Sequence, residues 1–312
     1  MARTAPLLAA LLLACGCAHQ PGPVFRDLRY PVETKLANVD GVEIAYADVG
    51  QGPRTLLLVH GLGSYLPVWS RNLPELAKSY RVVAIDLPGY GRSSKANYRY
   101  SMEFFARAVE RFIETLSLEH VVLVGHSMGG QIALTHALLY PGRAEALVLV
   151  APAGLERFTP GEAAWMERAV TKDTVKATAP EAVFANLAGN FSDMPAEARF
   201  MADDRTRIAG GPELDSYAYA NARSVAAMLH GPVYERLGEI RVPSLVLFGT
   251  GDQLIPNPAL HGGTTQSVAE EAKRIPGSQI QLIADAGHMV QFERPGAFDA
   301  AVLAFLSQMK SP

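Results

Sequence analysis

The pentapeptide Gly125-His126-Ser127-Met128-Gly129 sets one hydroxyl between two glycines, where an apolar run gives way to a helical pattern. A chain that turns sharply from strand to helix strains its backbone at the turn. The flanking glycines let neighbouring backbone pass closely. Ser127 would then project above the sheet edge. The helix start beneath it offers free N–H groups and a positive dipole end to a developing oxyanion. That is the chemistry of nucleophilic attack on a carbonyl, with Ser127 as the nucleophile. A plain glycine-rich turn is the blander reading. It is disfavoured by the apolar run before the turn and by Gly130 and the helical pattern Gln131 to Leu139 after it.

A serine hydroxyl needs a positioned base, and the base needs an acid to orient it. The expected chain order is serine, acid, histidine. His288 follows an apolar run in Asp285-Ala286-Gly287-His288, beyond a strand's carboxyl end, where open α/β sheets meet ligands. His230 and His261 are rivals, in a helical stretch and in a loop or early helix. His60 and His126 are read as structural or site-lining. For the acid, Asp252 in Gly249-Thr250-Gly251-Asp252 stands at the carboxyl end of another apolar run. Asp285 and Glu156 are its alternatives; Asp285 comes early in the turn to face the imidazole.

An oxyanion needs two preorganised donors. The amide of Met128, directly after the serine, is one. The amide of Leu62, in His60-Gly61-Leu62-Gly63, is assigned as the other, since its glycines let that loop approach a substrate carbonyl.

These residues need a frame that holds them at one edge. Apolar runs end just before them: Arg54 to Val59, Arg81 to Asp86, His120 to Val124, Ala146 to Val150, Ser244 to Phe248 and Gln279 to Ile283. Continuous apolar runs are what strands buried on both faces look like. Helical patterns lie between them, near 67–79, 101–116, 128–139, 258–274 and 296–309. The alternation predicts an α/β fold with a mostly parallel sheet and helices on both faces. Thr34 to Asn38 and Val42 to Ala47, joined by Asp40-Gly41, predict an antiparallel hairpin at one edge. Between 154 and 240 strand runs are missing. That stretch is read as a helical cap, broken at Pro160-Gly161, Pro180, Pro195 and Gly210-Gly211-Pro212. The core is then 33–153 with 241–310.

Taken in order, His60-Gly61-Leu62-Gly63, Asp86-Leu87-Pro88-Gly89-Tyr90-Gly91-Arg92-Ser93, Gly125-His126-Ser127-Met128-Gly129-Gly130, Gly251-Asp252 and Gly287-His288 resemble the α/β-hydrolase superfamily, from about 38 to 307. The resemblance implies an eight-stranded sheet, a cap after the sixth strand, and a Ser127, His288 and Asp252 triad working without a cofactor. Dehalogenase and epoxide-hydrolase relatives carry aspartate where this chain has Ser127, so those activities are disfavoured.

The chain has 312 residues, 49% hydrophobic and 19% charged, with a net charge of -3. Nothing in that balance suits nucleic acid, which wants a basic face. No metal-ligand spacing stands out. Arg3 and the apolar run Leu7 to Ala14 read as a signal peptide, too short to span a bilayer. The two cysteines, Cys15 and Cys17, close that run. Leu12-Leu13-Ala14-Cys15 resembles a bacterial lipobox, with Cys17 as a poorer acylation site. The expectation is a leader at 1–17 and a polar tether at 18–32, giving an exported, lipid-anchored protein of the bacterial cell envelope, membrane-associated through its anchor.

The expected activity is hydrolysis of a small-molecule carboxylic ester through an acyl-serine intermediate, as in esterases and lipases. The alternatives are carbon–carbon hydrolysis of a dienoic diketone of the meta-cleavage-product type, acyl transfer, amide hydrolysis, perhydrolysis, and a surface binding protein with a vestigial site. Substrate choice should lie in the cap, where Trp165, Met166, Phe184, Phe191, Phe200, Met201, Tyr217, Tyr219 and Met228 either line an acyl pocket or pack the cap.

Overall fold

The computed structural model describes residues 22–311. The leader and both cysteines, Cys15 and Cys17, lie outside the described residues. Eight strands form one sheet: β1 (Lys35–Val39), β2 (Val42–Val49), β3 (Thr55–Val59), β4 (Arg81–Ile85), β5 (Val121–His126), β6 (Ala146–Val150), β7 (Ser244–Gly249) and β8 (Gln279–Ile283). Their spatial order is β1-β2-β4-β3-β5-β6-β7-β8. The hairpin β1–β2 forms one edge, with Asp40-Gly41 in its turn and both residues at positive φ. β2 also runs antiparallel to β4, and every later pair is parallel.

The apolar runs became strands because both faces are covered. β3, β5, β6 and β7 are buried at every position. On one side lie two packed helices, Met102–Thr115 and Met128–Leu139. Ser101 caps the first by accepting from the amide of Phe104 at 3.0 Å. The second is buried from Met128 to His136, and its polar Gln131, Thr135 and His136 are hydrogen-bonded, as buried polar groups must be.

Register decides where the loops emerge. Val59 stands beside Ile85 and Gly125, His126 beside Val150, and Gly249 beside Ile283. The carboxyl ends of β3, β5, β7 and β8 therefore finish level. The loops that follow them meet at one edge of the sheet, next to the point where strand order reverses.

Three expectations are corrected. The helix expected at 67–79 is a 3-10 turn, Leu66–Trp69, and one short helix, Leu73–Leu76. Pro67 and Pro74 each remove a donor and confine helix to their own first turns. The helix expected at 258–274 begins only at Thr265, after Gly262-Gly263. Thr264 caps it, and a 3-10 turn follows Glu271. The tether expected at 18–32 is packed from Pro23 onward rather than free. Phe25, Leu28 and Tyr30 are buried, and the Tyr30 hydroxyl donates to Asp86 Oδ2 at 2.7 Å.

Five helices occupy the stretch between β6 and β7: Pro160–Ala169, Lys172–Lys176, Pro180–Ala188, Arg199–Ile208 and Leu214–His230. Pro160 and Pro180 sit at first helical positions, where a missing N–H costs nothing. The Gly210-Gly211 turn separates the last two helices. Among the described residues, no helix is long and apolar enough to cross a membrane.

Candidate active site

β5 delivers Ser127 at φ 54°, ψ −116°, the strained turn expected of this sequence. The strain persists because no alternative path fits. A Cβ on Gly125 would stand 2.3 Å from Gly129 O, and a Cβ on Gly129 2.3 Å from Val59 O. Backbone bonds lock the turn: Ser127 N donates to Val150 O at 2.9 Å, and Gly130 N to Ser127 O at 2.8 Å. The helix Met128–Leu139 starts directly beneath.

β8 and β7 deliver the partners. His288 Nδ1 lies 2.9 Å from Asp252 Oδ2, and both residues are buried. The other carboxylate oxygen of Asp252 accepts from the amides of Leu254 at 2.8 Å and Ile255 at 3.2 Å. Burial alone would raise the Asp252 pKa. The opposing charge and hydrogen bond of His288, with the two amides, outweigh it and hold the carboxyl below its usual range. Ser127 and His288 line the same cavity, with no hydrogen bond between their side chains among the described residues. Catalytic hydrogen bonds in ligand-free sites are often loose.

The loop after β3 faces the serine. A Cβ on Gly61 would lie 3.0 Å from both Ser127 Cβ and His126 Nδ1. The amides of Leu62 and Met128 donate to no protein group among the described residues. Leu62 lines the cavity, whereas the Met128 side chain is fully buried and only its amide is at issue.

The rivals are placed elsewhere. Asp285 is exposed, and its amide donates to Thr250 Oγ1. Glu156 and His261 pair with each other, and His230 pairs with Glu167 at the surface. His60 bridges two loops: its Nε2 accepts from the Leu87 amide at 3.0 Å, and Nδ1 lies 2.8 Å from Gly61 O. Burial pushes its pKa down to about 4, so the ring is neutral at pH 7. His126 is also held neutral. Burial first, then the neighbouring His288, pushes it down to about 3.

Several residues have supporting roles that no motif specifies, even where, as with Asp86, they lie within one. Asp86, fully buried, accepts from the amides of Leu66 at 2.6 Å and Arg92 at 2.8 Å, besides Tyr30. Glu293 accepts from the amides of Gly287 at 2.7 Å and Asp193 at 2.7 Å. One carboxylate thus ties the His288 loop to the inserted segment. Backbone meets backbone closely here: a Cβ on Gly287 would stand 2.6 Å from Phe191 C. Only their long-range partners reveal these roles.

The cavity holds about 870 Å³ and is walled mainly by apolar side chains. Met166, Met201 and Met228 line it. Trp165 and Phe184 are surface residues instead, and Phe191 and Tyr217 pack in the core. Phe25 and Leu28, from the segment expected to be tether, complete the wall. Such an enclosure beside a serine, an imidazole and two free amides can bind an acyl compound, transfer its acyl group to Ser127 and exclude bulk water.

A family model for the alpha/beta hydrolase fold matches residues 54–295. The chain is 34% identical to a dihydrolipoyllysine-residue acetyltransferase component of the acetoin cleaving system of Cupriavidus necator, over 85% of this chain and 67% of that one. It thus spans about two thirds of that relative's length. It is 30% identical to a 2-hydroxy-6-oxononadienedioate/2-hydroxy-6-oxononatrienedioate hydrolase of Escherichia coli, over 86% of this chain and 92% of that one. Among solved structures it is similar to a bacterial membrane phospholipase A, with TM-score 0.72 and 28% identity, covering 88% of this chain and 86% of that one.

Proposed function

The chain belongs to the α/β-hydrolase fold family, and on that premise we propose that it hydrolyses carboxylic esters through an acyl-serine intermediate. The observation that carries the reading is the buried His288–Asp252 pair, opening with Ser127 onto one apolar cavity.

Asp252 fixes the imidazole with Nδ1–H toward its carboxylate, leaving Nε2 as the base. Ser127 Oγ attacks the ester carbonyl while His288 takes its proton. The carbonyl oxygen becomes an oxyanion, accepting from the amides of Leu62 and Met128. Each such donor contributes about a hundredfold or more to rate. Collapse expels the alcohol, which receives the proton from His288. Water then repeats the sequence on the acyl-serine and releases the acid.

The similarity to a phospholipase A, an ester-cleaving protein by name, supports the ester reading. The E. coli relative, a hydrolase of dienoic keto acids by name, favours a second reading, carbon–carbon hydrolysis. Purified protein is offered methyl and p-nitrophenyl esters and, separately, a dienoic ring-fission product. Ester turnover abolished by Ser127→Ala supports the first reading. Turnover of the ring-fission product alone replaces it with the second.

Location belongs to the same proposal. Cys15, or failing it Cys17, carries the lipid anchor at the cell envelope. Labelling cells with a clickable fatty acid should mark the wild type, and Cys15→Ala with Cys17→Ala should abolish the mark. Label retained by the double variant would overturn the anchor.

A further inference from the structure

Phe25 and Leu28 come from a segment that precedes the whole sheet, and the proposed chemistry gives them no task. Both are buried, and both line the cavity that holds Ser127 and His288. Their segment is fixed from two sides. The Phe25 amide donates to Glu213 Oε2 at 2.6 Å, at the start of the inserted helix Leu214–His230. Lys95 donates to the other oxygen of Glu213 at 3.2 Å, and its ammonium lies 4.4 Å over the Phe25 ring. Arg92 donates to Leu28 O, and its guanidinium lies 4.1 Å over the Tyr30 ring. Arg92 and Lys95 follow β4, so the segment closes the seam between the sheet and the inserted helices.

A wall held this firmly selects by size. Methylenes forced against packed side chains cost free energy, and space left unfilled costs it too. Strand order decides which part of an ester meets this wall. β7 and β8, whose loops carry Asp252 and His288, lie on one side of β5, and β3 and β4 lie on the other. The departing alcohol takes its proton from His288, so it faces the β8 side. The acyl part is left the β3 side. Phe25 stands there behind Tyr217: the two rings are 5.3 Å apart, and the Tyr217 hydroxyl donates to Gly63 O at 2.9 Å. Gly61, two residues earlier, abuts Ser127. Two residues of chain span at most about 7 Å, and the Tyr217 ring adds its own length. An acetyl group therefore ends short of Phe25, and a longer chain reaches it.

We propose that Phe25 and Leu28 form the end wall of the acyl pocket, so that this N-terminal segment sets the acyl length the site accepts, and that its substrates are esters of apolar acids of medium length. The proposal rests on the ester-hydrolase reading and names its substrate class. The wall asks for no polar group at the end of the chain, because the Phe25 amide and the Leu28 carbonyl are already bonded to protein.

The test compares p-nitrophenyl acetate, butyrate, octanoate and dodecanoate, in which only the acyl part varies. Phe25→Ala should raise the dodecanoate-to-butyrate ratio of kcat/KM about tenfold, and Phe25→Trp should lower it about tenfold, with acetate within about threefold in both. Phe184→Ala, at an exposed position on an inserted helix, should leave the ratio unchanged. A ratio unmoved by both Phe25 variants, or moved as far by Phe184→Ala, overturns the wall and leaves the esterase reading intact. A second measurement uses wild type alone, so it stands even if the variants do not fold. Ser127 is labelled with fluorophosphonates bearing a methyl or an octyl group on phosphorus, placed where the acyl chain would be. The octyl adduct should slow amide hydrogen exchange in the peptide containing Phe25 and Leu28, and the methyl adduct should not. Equal exchange in the two adducts would overturn the wall. Labelling of Ser127 with no ester cleaved would instead overturn the ester reading.

Discussion

His126 Nε2 lies 3.0 Å from the backbone carbonyl of His288, with the two rings 4.9 Å apart. A carbonyl oxygen only accepts, so that nitrogen donates. The residue before the proposed nucleophile therefore holds the loop of the proposed base. His126→Ala removes the donor and leaves a buried carbonyl unpaired. kcat should fall about tenfold with KM within about twofold. His126→Gln, which can still donate, should recover most of it. Loss in KM alone, or no rescue, would mean that His126 only fills space.

Asp252→Asn tests the orienting role. The amide cannot hold the imidazole in the required tautomer, so kcat should fall about a thousandfold or more while the fold persists. Asp285→Asn, at an exposed position, should stay within about twofold. Ester-hydrolysis rates for both, with circular dichroism as a fold control, decide it. A larger loss for Asp285→Asn would exchange their roles.

Two buried histidines should weaken the fold as pH drops below neutrality, while buried Asp299, raised to about 7, works in the opposite direction. His60 and His126 have folded pKa values pushed down to about 4 and about 3, against an ordinary 6.5. Protons bind the unfolded chain first, so the stability these neutral rings contribute is complete above about 6.5. It is lost as pH falls toward 4 and then 3. Each ring contributes a slope of up to about 1.4 kcal/mol per pH unit. Asp252, also lowered, adds a loss below its ordinary 3.8. Urea midpoints at pH 7, 6, 5 and 4 check the trend, and His60→Asn should flatten it between 6.5 and 4. A His60→Asn variant whose midpoints change with pH just as the wild type's do would contradict it.

The segment after the leader makes a stability prediction of its own. Tyr30→Phe deletes one of three donors to the buried Asp86 carboxylate, so it should cost about 1–3 kcal/mol. Urea unfolding measures it. No cost would restore the free tether that the sequence suggests.

Much of the frame was legible because burial on both faces leaves an unbroken apolar run, as at Leu56 to Val59 and Leu147 to Val150. The elbow at Ser127 was legible because glycines on both sides have a steric reason. What escaped depends on partners far along the chain. Pro23 to Val32 reads as polar linker because its few apolar residues make no pattern. Their burial depends on Asp86, Arg92 and Glu213, which are remote in sequence. Glu293 looks like any helical acid until its carboxylate meets the amides of Gly287 and Asp193. Arg205 lies in a run of charges, Asp203-Asp204-Arg205-Thr206-Arg207, that reads as a solvated face. Its place on the cavity wall shows only in the structure, where its Nη1 donates to Gly63 O at 3.2 Å.

The central claim is a covalent acyl group on Ser127. Wild-type protein is mixed rapidly with a p-nitrophenyl ester, quenched in acid and digested, and the peptides are weighed. The acyl mass should appear on the peptide containing Ser127, building up before steady turnover and absent in Ser127→Ala. Steady ester turnover with no acyl mass on that peptide, or with the mass on another residue, would contradict it.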